Sequence, residues 1–501
     1  MGTYIHMQTT IDIPLIGSGY LGQSVNNDCQ RTLNFYTDFD PDGKKKAILL
    51  PTPGATLFCA FPNFPIRGMH VFGAFLYVVA AQYLYKVTGT GTYTVVGTLS
   101  STLGKVSMAD NGTSPTGGDQ LAIFDSVGGY IYNQITGLLV PITSSGFDGN
   151  SYVIFIKGFF VCKSSRPMVF LWSKLYDGTS WNALDFATKE TTPDNLVAIA
   201  ESHGDLYLIG QYYTEVWFVS TSGNPVFQKY PGVLIEHGCA SADTVTKGNS
   251  SLYWIARNKK GGFYIVHENG YQVTNISTPQ IEYKICSLAD TYLYNGMNLT
   301  TGNLTSNAYF FTRNGHSFYT VTIGNEITLQ YDILTGQWNE WATYPIGESI
   351  TATSRHYGDI SAYFYGMNIL SDYYGTGLYF LDDNSFLDAQ GKPIQRARIT
   401  KHNFSPDDNN VIIDKLKLIV ETGESLPDGS SAKMMLKWSV DGGHAYSTES
   451  WSPMGKIGEY LADVIWTGLG YGRDFVFWFE CSDTIRPIII KCIATIRKLI
   501  K

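Results

Sequence analysis

Gly17, Gly19 and Gly22 stand in the Gly-x-Gly-x-x-Gly spacing that cradles a pyrophosphate when the third glycine opens a helix. The apolar run Ile11 to Ile16 precedes them, and Asp38 and Asp40 follow about 20 residues on, where a ribose contact would fall. Gln23, Ser24, Val25, Asn26, Asn27 and Asp28 come next, with no apolar helical period, and no strand–helix–strand succession follows. The segment is read as a loop that holds no cofactor. Metal chemistry is equally ill served. The nine histidines (6, 70, 203, 237, 267, 316, 356, 402 and 444) are 30 or more positions apart, so no local pair at ligand spacing exists. The acidic stretches Asp382 to Ser385 and Ser405 to Asn410 have the oxygen-rich composition of a calcium loop, but polar loops of this kind mostly hold none. Gly-x-Ser-x-Gly, the usual nucleophile elbow, is absent. The catalytic, cofactor and metal sets are therefore predicted to be empty.

Ser439, Asp441, Gly442, Gly443, His444 and Tyr446 resemble the Asp-box of sialidase-like propellers. That box is a turn: the carboxylate accepts from nearby backbone N–H groups while the glycines take positive φ. A sialidase-like glycosidase also requires an arginine cluster and a tyrosine–carboxylate nucleophile pair. With a single box, the enzyme is the lesser alternative, a propeller glycosidase acting on surface polysaccharide. A propeller interaction module is a third reading.

The elements that must position any such residues are β. Of 501 residues, 44% are hydrophobic, 14% aromatic and 16% charged, with 51 glycines, which implies a large core and many turns between short strands. The length predicts two or three domains. A formal charge of −8 argues against a chain that grips DNA, because a basic face supplies most non-specific affinity. The seven cysteines (29, 59, 162, 239, 286, 481 and 492) contain no Cys-x-x-Cys pair and read as reduced thiols of a protein made in a cytosol. No run of 18 apolar residues or secretory leader is read, so no membrane span is expected.

Between about 65 and 390 a Gly-containing turn followed by an aromatic strand keeps returning. It does so at Phe72 to Tyr77, Gln120 to Phe124, Lys157 to Val161, His203 to Tyr207, Lys247 to Tyr253 and Asn307 to Phe311, with a further copy at Gly377 to Leu381. Several spacings lie near 46 residues, others near 37 or 57, which fits a degenerate repeat of four-stranded propeller blades. The expected architecture is all-β: an N-terminal arm or peripheral segment (1–64), a degenerate β-propeller (65–390) and a C-terminal β-sandwich-like domain (391–501). Asp177 to Ala187 lacks a helical stripe and is not read as a helix. Lys44 to Lys46 is read as the solvated face of the Pro41-Asp42-Gly43 turn.

Four blocks at the front recur in family order: Ile13-Pro14-Leu15-Ile16-Gly17, Cys29 to Tyr36, Leu50 to Gly54, and Ile66-Arg67-Gly68-Met69. Arg396 to Thr400, with Leu416 to Glu421 and Gly423, forms another block, and Trp438-Ser-x-Asp441-Gly442, Gly455-x-x-Gly458-Glu-Tyr460 and Trp466-x-x-Leu469-Gly470-x-x-Arg473-Asp474 complete the series. Together they resemble the packaged-DNA stabilisation proteins, or tail hub (nozzle) proteins, of short-tailed bacteriophages. The resemblance implies a structural virion protein of the tail, made in the host cytoplasm. It implies a homohexameric ring docked beneath the adaptor ring of the portal, extending the DNA channel. That ring would retain the genome, receive a tail needle or plug, carry tailspikes or fibres at its side, and let DNA pass without specific binding. Arg67 and Trp466 are read as packing or assembly residues.

Overall fold

The computed structural model describes residues 8–17, 19, 24–39, 47–191, 193–220, 226–293, 306–343, 354–404, 410–421 and 423–498. The Gly-turn unit is a real repeat, and its physical basis is a hairpin whose two turn residues both take positive φ, as the right-handed twist of paired strands favours. Lys157/Gly158 (φ 45° and 94°), His203/Gly204 (54° and 79°), Asn249/Ser250 (47° and 63°), Asn314/Gly315 (49° and 82°) and Tyr365/Gly366 (47° and 81°) each occupy this place. Each turn leads from the innermost strand of a blade to its second strand, which neighbouring blades cover on both faces. In the Phe75–Ala80 strand, for example, Leu76 to Ala80 are all solvent-inaccessible.

The described residues form seven such sheets: 66–98, 107–141, 149–188, 196–235, 238–275, 306–340, and 358–382 together with 54–60. A separate apolar layer lies at every interface round the ring, from Leu76 and Val78 against Ile369 and Leu378 to Phe311 and Phe318 against Leu370 and Leu381. The sequence copies at Asn307 and Gly377 are displaced from this scheme. The first lies on the innermost strand Ser306–Arg313 and the second on the third strand Gly377–Asp382, while the true second strands are His316–Ile323 and Met367–Asp372. Asp177–Thr188, which lacks a helical stripe, is a strand. One α-helix appears among the described residues, Pro279–Tyr292, capped by the Thr278 hydroxyl accepting from Ile281 N, and it lays Ile281, Ile285 and Ala289 on the fifth interface. It is not long and apolar enough to cross a membrane.

The largest departure from expectation concerns residues 1–64. Their described parts form strands rather than a peripheral arm. Gly54–Ala60 pairs antiparallel with Gly377–Asp382 and supplies the outermost strand of the last blade, so the two ends of the propeller chain close in one sheet. Gln8–Ile13 pairs along Ile488–Lys498, and Phe35–Phe39 with Ala47–Pro51 extends the same sheet of the C-terminal sandwich. Arg31–Leu33 lies between Gln337–Glu340 of the sixth blade and Arg396–Ile399 of the sandwich, which makes the two domains share a continuous sheet. The Asn, Asp and Gly content of this segment hides its strands because they are short and separated by turns. Pro41, Asp42, Gly43 and Lys44 to Lys46 lie outside the described residues.

Within the sandwich, Leu416, Leu418, Val464 and Ile496 from one sheet meet Leu436, Phe475, Phe477 and Phe479 from the other, with Ile13, Leu15, Phe35 and Leu49 completing the core. Trp466 is buried there and its indole N–H donates to Ser450 O at 3.1 Å. Arg67 is buried in the first blade, where its guanidinium donates to the carbonyls of Ala81, Ser101, Leu103 and Gly104 at 2.6–2.8 Å. Both are packing residues.

The closing blade carries a pH-sensitive weakness. Asp372 is buried, and desolvation pushes its carboxyl up to about 6, with the nearby Asp388 charge adding to the rise and the Tyr374 N–H opposing it. A folded pKa above the unfolded 3.8 means this group stabilises the fold fully below 3.8 and loses that stabilisation as pH rises through about 6. Asp372→Asn keeps the acceptor for Tyr374 N. It is expected to unfold about 2–3 kcal/mol later than the parent at pH 8 and to match it near pH 4, read from urea midpoints at both pH values. A gap that stays constant across pH would refute this role for the carboxyl.

Candidate functional site

Parts of three of the family-like blocks, Arg31–Leu33, Arg396–Ile399 and Trp438, come together on the sheet that the two domains share. Side chains alternate along its strands, so Arg31 and Leu33, Ala397 and Ile399, Met435 and Lys437, and Trp478 and Glu480 share the face turned away from the sandwich core. The register sets two rows across it: Leu33, Ala397, Glu480, Met435 and Trp451, and beside them Arg31, Ile399, Trp478 and Lys437. Ala397 is the smallest side chain in the first row, and a cleft of about 160 Å³ opens over it.

The rim of the cleft is charged, with two ion pairs and one further carboxyl, Glu480. Arg31 grips Glu340 with a two-pronged contact at 2.6 Å on each prong, the strong geometry for this pair. Lys437 Nζ lies 3.1 Å from Glu449 and 5.3 Å from the centre of the Trp478 ring. Burial pushes the Glu480 carboxyl up from its ordinary range, while the Gln395 amide that donates to it pulls the other way. Trp451 stands half exposed (50%) at the edge.

Arg398, on the buried side of the same sheet, binds the N-terminal segment. It donates to Gly17 O at 3.3 Å, Thr32 Oγ1 at 2.5 Å and Gln30 Oε1 at 2.8 Å. This is where the nucleotide-like glycines are found. A Cβ on Gly19 would come within 3.0 Å of Arg398 Nη1 and 3.1 Å of Arg31 N. A Cβ on Gly17 would come within 2.7 Å of Gln30 Oε1, so both glycines leave room for close neighbours: Gln30 at the first, the Arg398 guanidinium and the Arg31 strand at the second. No helix begins among the described residues here, and Gly22 lies outside them.

The Asp-box is the turn that its residues predict. Asp441 Oδ1 accepts from Ser439 Oγ at 2.6 Å and from the N–H groups of His444 and Ala445 at 3.2 and 3.0 Å, with Gly442 and Gly443 at φ 74° and 88°. The turn holds the loop before Arg31: His444 Nε2 meets Asn26 Oδ1 at 2.8 Å, and neighbouring His402 bridges Asp474 (2.6 Å) and Val25 O (2.8 Å). Of the acidic loops, Asp382 accepts from Thr56 and from Asn384 N, and Asp383 pairs with Arg313 at 2.7 Å. Residues 405–409 lie outside the described residues. Among those described, no group of three His, Cys, Asp or Glu side chains converges as a metal would require.

A second concavity, about 500 Å³, lies on the propeller axis between the innermost strands of the first five blades. Ionic contacts cross it. Lys105, before the second blade, and the Tyr152 hydroxyl of the third both reach Asp243 of the fifth, at 2.9 and 3.0 Å. Burial beside that carboxylate pushes the Tyr152 phenol well up, keeping it a donor. His70 pairs with Asp110 at 2.7 Å, and Lys247 with Glu201. Among the described residues its lining contains no arginine. None of these ion pairs was evident in the sequence, since each joins residues of different blades or strands. The alternation of Met435, Lys437, Trp478 and Glu480 is the only local signal that could have marked the outer face.

Two family models match the chain: Bacteriophage P22 Gp10, beta-propeller, over residues 13–386, and Bacteriophage P22 Gp10, beta-sandwich, over residues 396–497. No curated protein matches significantly. Among solved structures, the chain is similar to the computationally designed Ika8 protein (11% identity, 70% of this chain and 100% of that one, TM-score 0.37). It is also similar to U3-55K (9% identity, 66% and 99%, TM-score 0.38) and to a puromycin-hydrolyzing peptidase of Mycobacterium tuberculosis (9% identity, 70% and 61%, TM-score 0.35). Likeness at this level carries no information on activity.

Proposed function

This chain belongs to the bacteriophage P22 Gp10 family of packaged-DNA stabilisation proteins, and on that premise we propose that it is a non-enzymatic tail hub whose copies close into a ring below the portal adaptor. The ring extends the DNA channel, helps retain the packaged genome and conducts it on ejection. A hexamer, a tail needle or plug as distal partner, and tailspikes or fibres at the side complete this reading.

The observation that carries it is the propeller axis. A concavity of about 500 Å³ crossed by the Lys105–Asp243 contact does not thread a duplex whose major groove alone is about 12 Å wide. A DNA path in this protein must therefore run between copies, which requires a closed ring with heterologous interfaces. A formal charge of −8 also suits a lumen that DNA slides past. The turn after Ser450–Pro453 offers a contact surface. There Ile457, Tyr460 and Leu461 are 77%, 69% and 63% exposed, beside the sheet-edge strand Ala462–Thr467.

Native mass measurement and negative-stain microscopy of the 55.5 kDa chain, alone and with a portal–adaptor complex, test the reading. A ring with an axial hole is expected, and Tyr460→Asp with Leu461→Asp is expected to lower its yield at unchanged melting temperature. A monomer in both mixtures would overturn the proposal.

A further inference from the structure

We propose that the cleft on the outer face of the shared sheet binds one neutral hexopyranose unit of a polysaccharide. A pyranose ring presents an apolar C–H face and a rim of hydroxyls, and the cleft has the matching pattern. Its floor is apolar, made by Leu33, Ala397, Ile399 and Met435, with the Trp451 and Trp478 rings beside it. An aromatic ring that keeps one side wet is suited to packing against such a face.

The rim decides between ligand classes. Arg31 is matched by Glu340 and Lys437 by Glu449, and the one further carboxyl, Glu480, accepts from the neutral Gln395 amide, so no excess of positive charge remains to attract a phosphate or a carboxylate. The same pairs still offer spare carboxylate lone pairs and N–H groups to hydroxyls, joined by Ser482 and the Gln395 amide. Size points the same way. Drug-sized ligands occupy about 300–1,000 Å³, whereas 160 Å³ suits a single ring of a chain whose neighbours lie outside. Every residue named comes from one copy, so the inference does not rest on ring assembly, and failure of either leaves the other standing.

The intact chain is titrated with maltohexaose, cellohexaose, mannohexaose and β-1,4-galactohexaose, followed by tryptophan fluorescence and saturation-transfer NMR. At least one of the four is expected to bind, with transfer strongest to the ring C–H protons. Trp451→Ala, a change at a half-exposed side chain, is expected to weaken that binding about tenfold with no change in melting temperature, and Glu449→Gln to weaken it about threefold. The proposal fails if none of the four binds, or if binding survives Trp451→Ala within twofold. It fails too if a single-stranded oligonucleotide or a proline-rich peptide occupies the cleft and the sugars do not.

Discussion

Removing residues 1–60 is expected to abolish the soluble fold of the whole chain. Four core side chains of the C-terminal sandwich, Ile13, Leu15, Phe35 and Leu49, come from this segment. At about 1.5–3 kcal/mol for each buried side chain, their loss removes roughly 6–12 kcal/mol, against a net stability of about 5–15 kcal/mol for a domain. The propeller suffers separately, because the last blade loses its outer strand Gly54–Ala60 and exposes the edge of Gly377–Asp382. A graded variant isolates closure from the sandwich. A Cβ on Gly54 would collide with the backbone carbonyl of Ser385, so Gly54→Val should displace the closing strand while leaving the sandwich strands untouched. Solubility, circular dichroism and hydrogen exchange of 377–382 read both changes. A truncated chain that stays soluble with cooperative unfolding would show that the segment is the dispensable arm its composition implies.

Replacing Arg398 is expected to be the most damaging single change. Its guanidinium is wholly buried, and its charge is met mainly by neutral oxygens of Gly17, Gln30 and Thr32. Burial pushes it down to about 10, with Asp28 acting the other way, so it remains charged at neutral pH. Arg398→Ala strands three acceptors at about 1–3 kcal/mol each where water does not reach them and leaves a cavity besides. A loss of about 4 kcal/mol is expected, seen as an early urea midpoint and as protease cleavage within 17–30. Arg398→Lys should lie between, since an ammonium cannot fork to three partners. An unchanged midpoint for Arg398→Ala would mean that the N-terminal segment is held by its strands alone.

Much of this architecture was legible in the chain. The Gly-turn and aromatic-strand unit marked the blades because a two-residue hairpin needs positive φ at fixed places, as at His203 and Gly204. The signal failed at the sixth and seventh blades. There Asn307 and Gly377 start strands of similar composition, and only the turns at Asn314 and Tyr365 distinguish the second strand. The Asp-box was read as a structural turn from its residues alone, since its hydrogen bonds are local.

Sequence by itself determined the all-β class, the propeller followed by a sandwich, and the family, because each depends on local periodicity, turn chemistry or the order of short blocks. The tertiary structure decided what residues 1–64 do, which side of Arg398 the glycines face, and where ions pair. Leu33 meets Ala397 and Glu340 across more than 300 positions, and Lys105 meets Asp243 across the propeller axis. Such partners are set by strand register and ring closure. A strand of three residues has too few side chains to announce its neighbours, so its place is settled only when the sheets on both sides have formed.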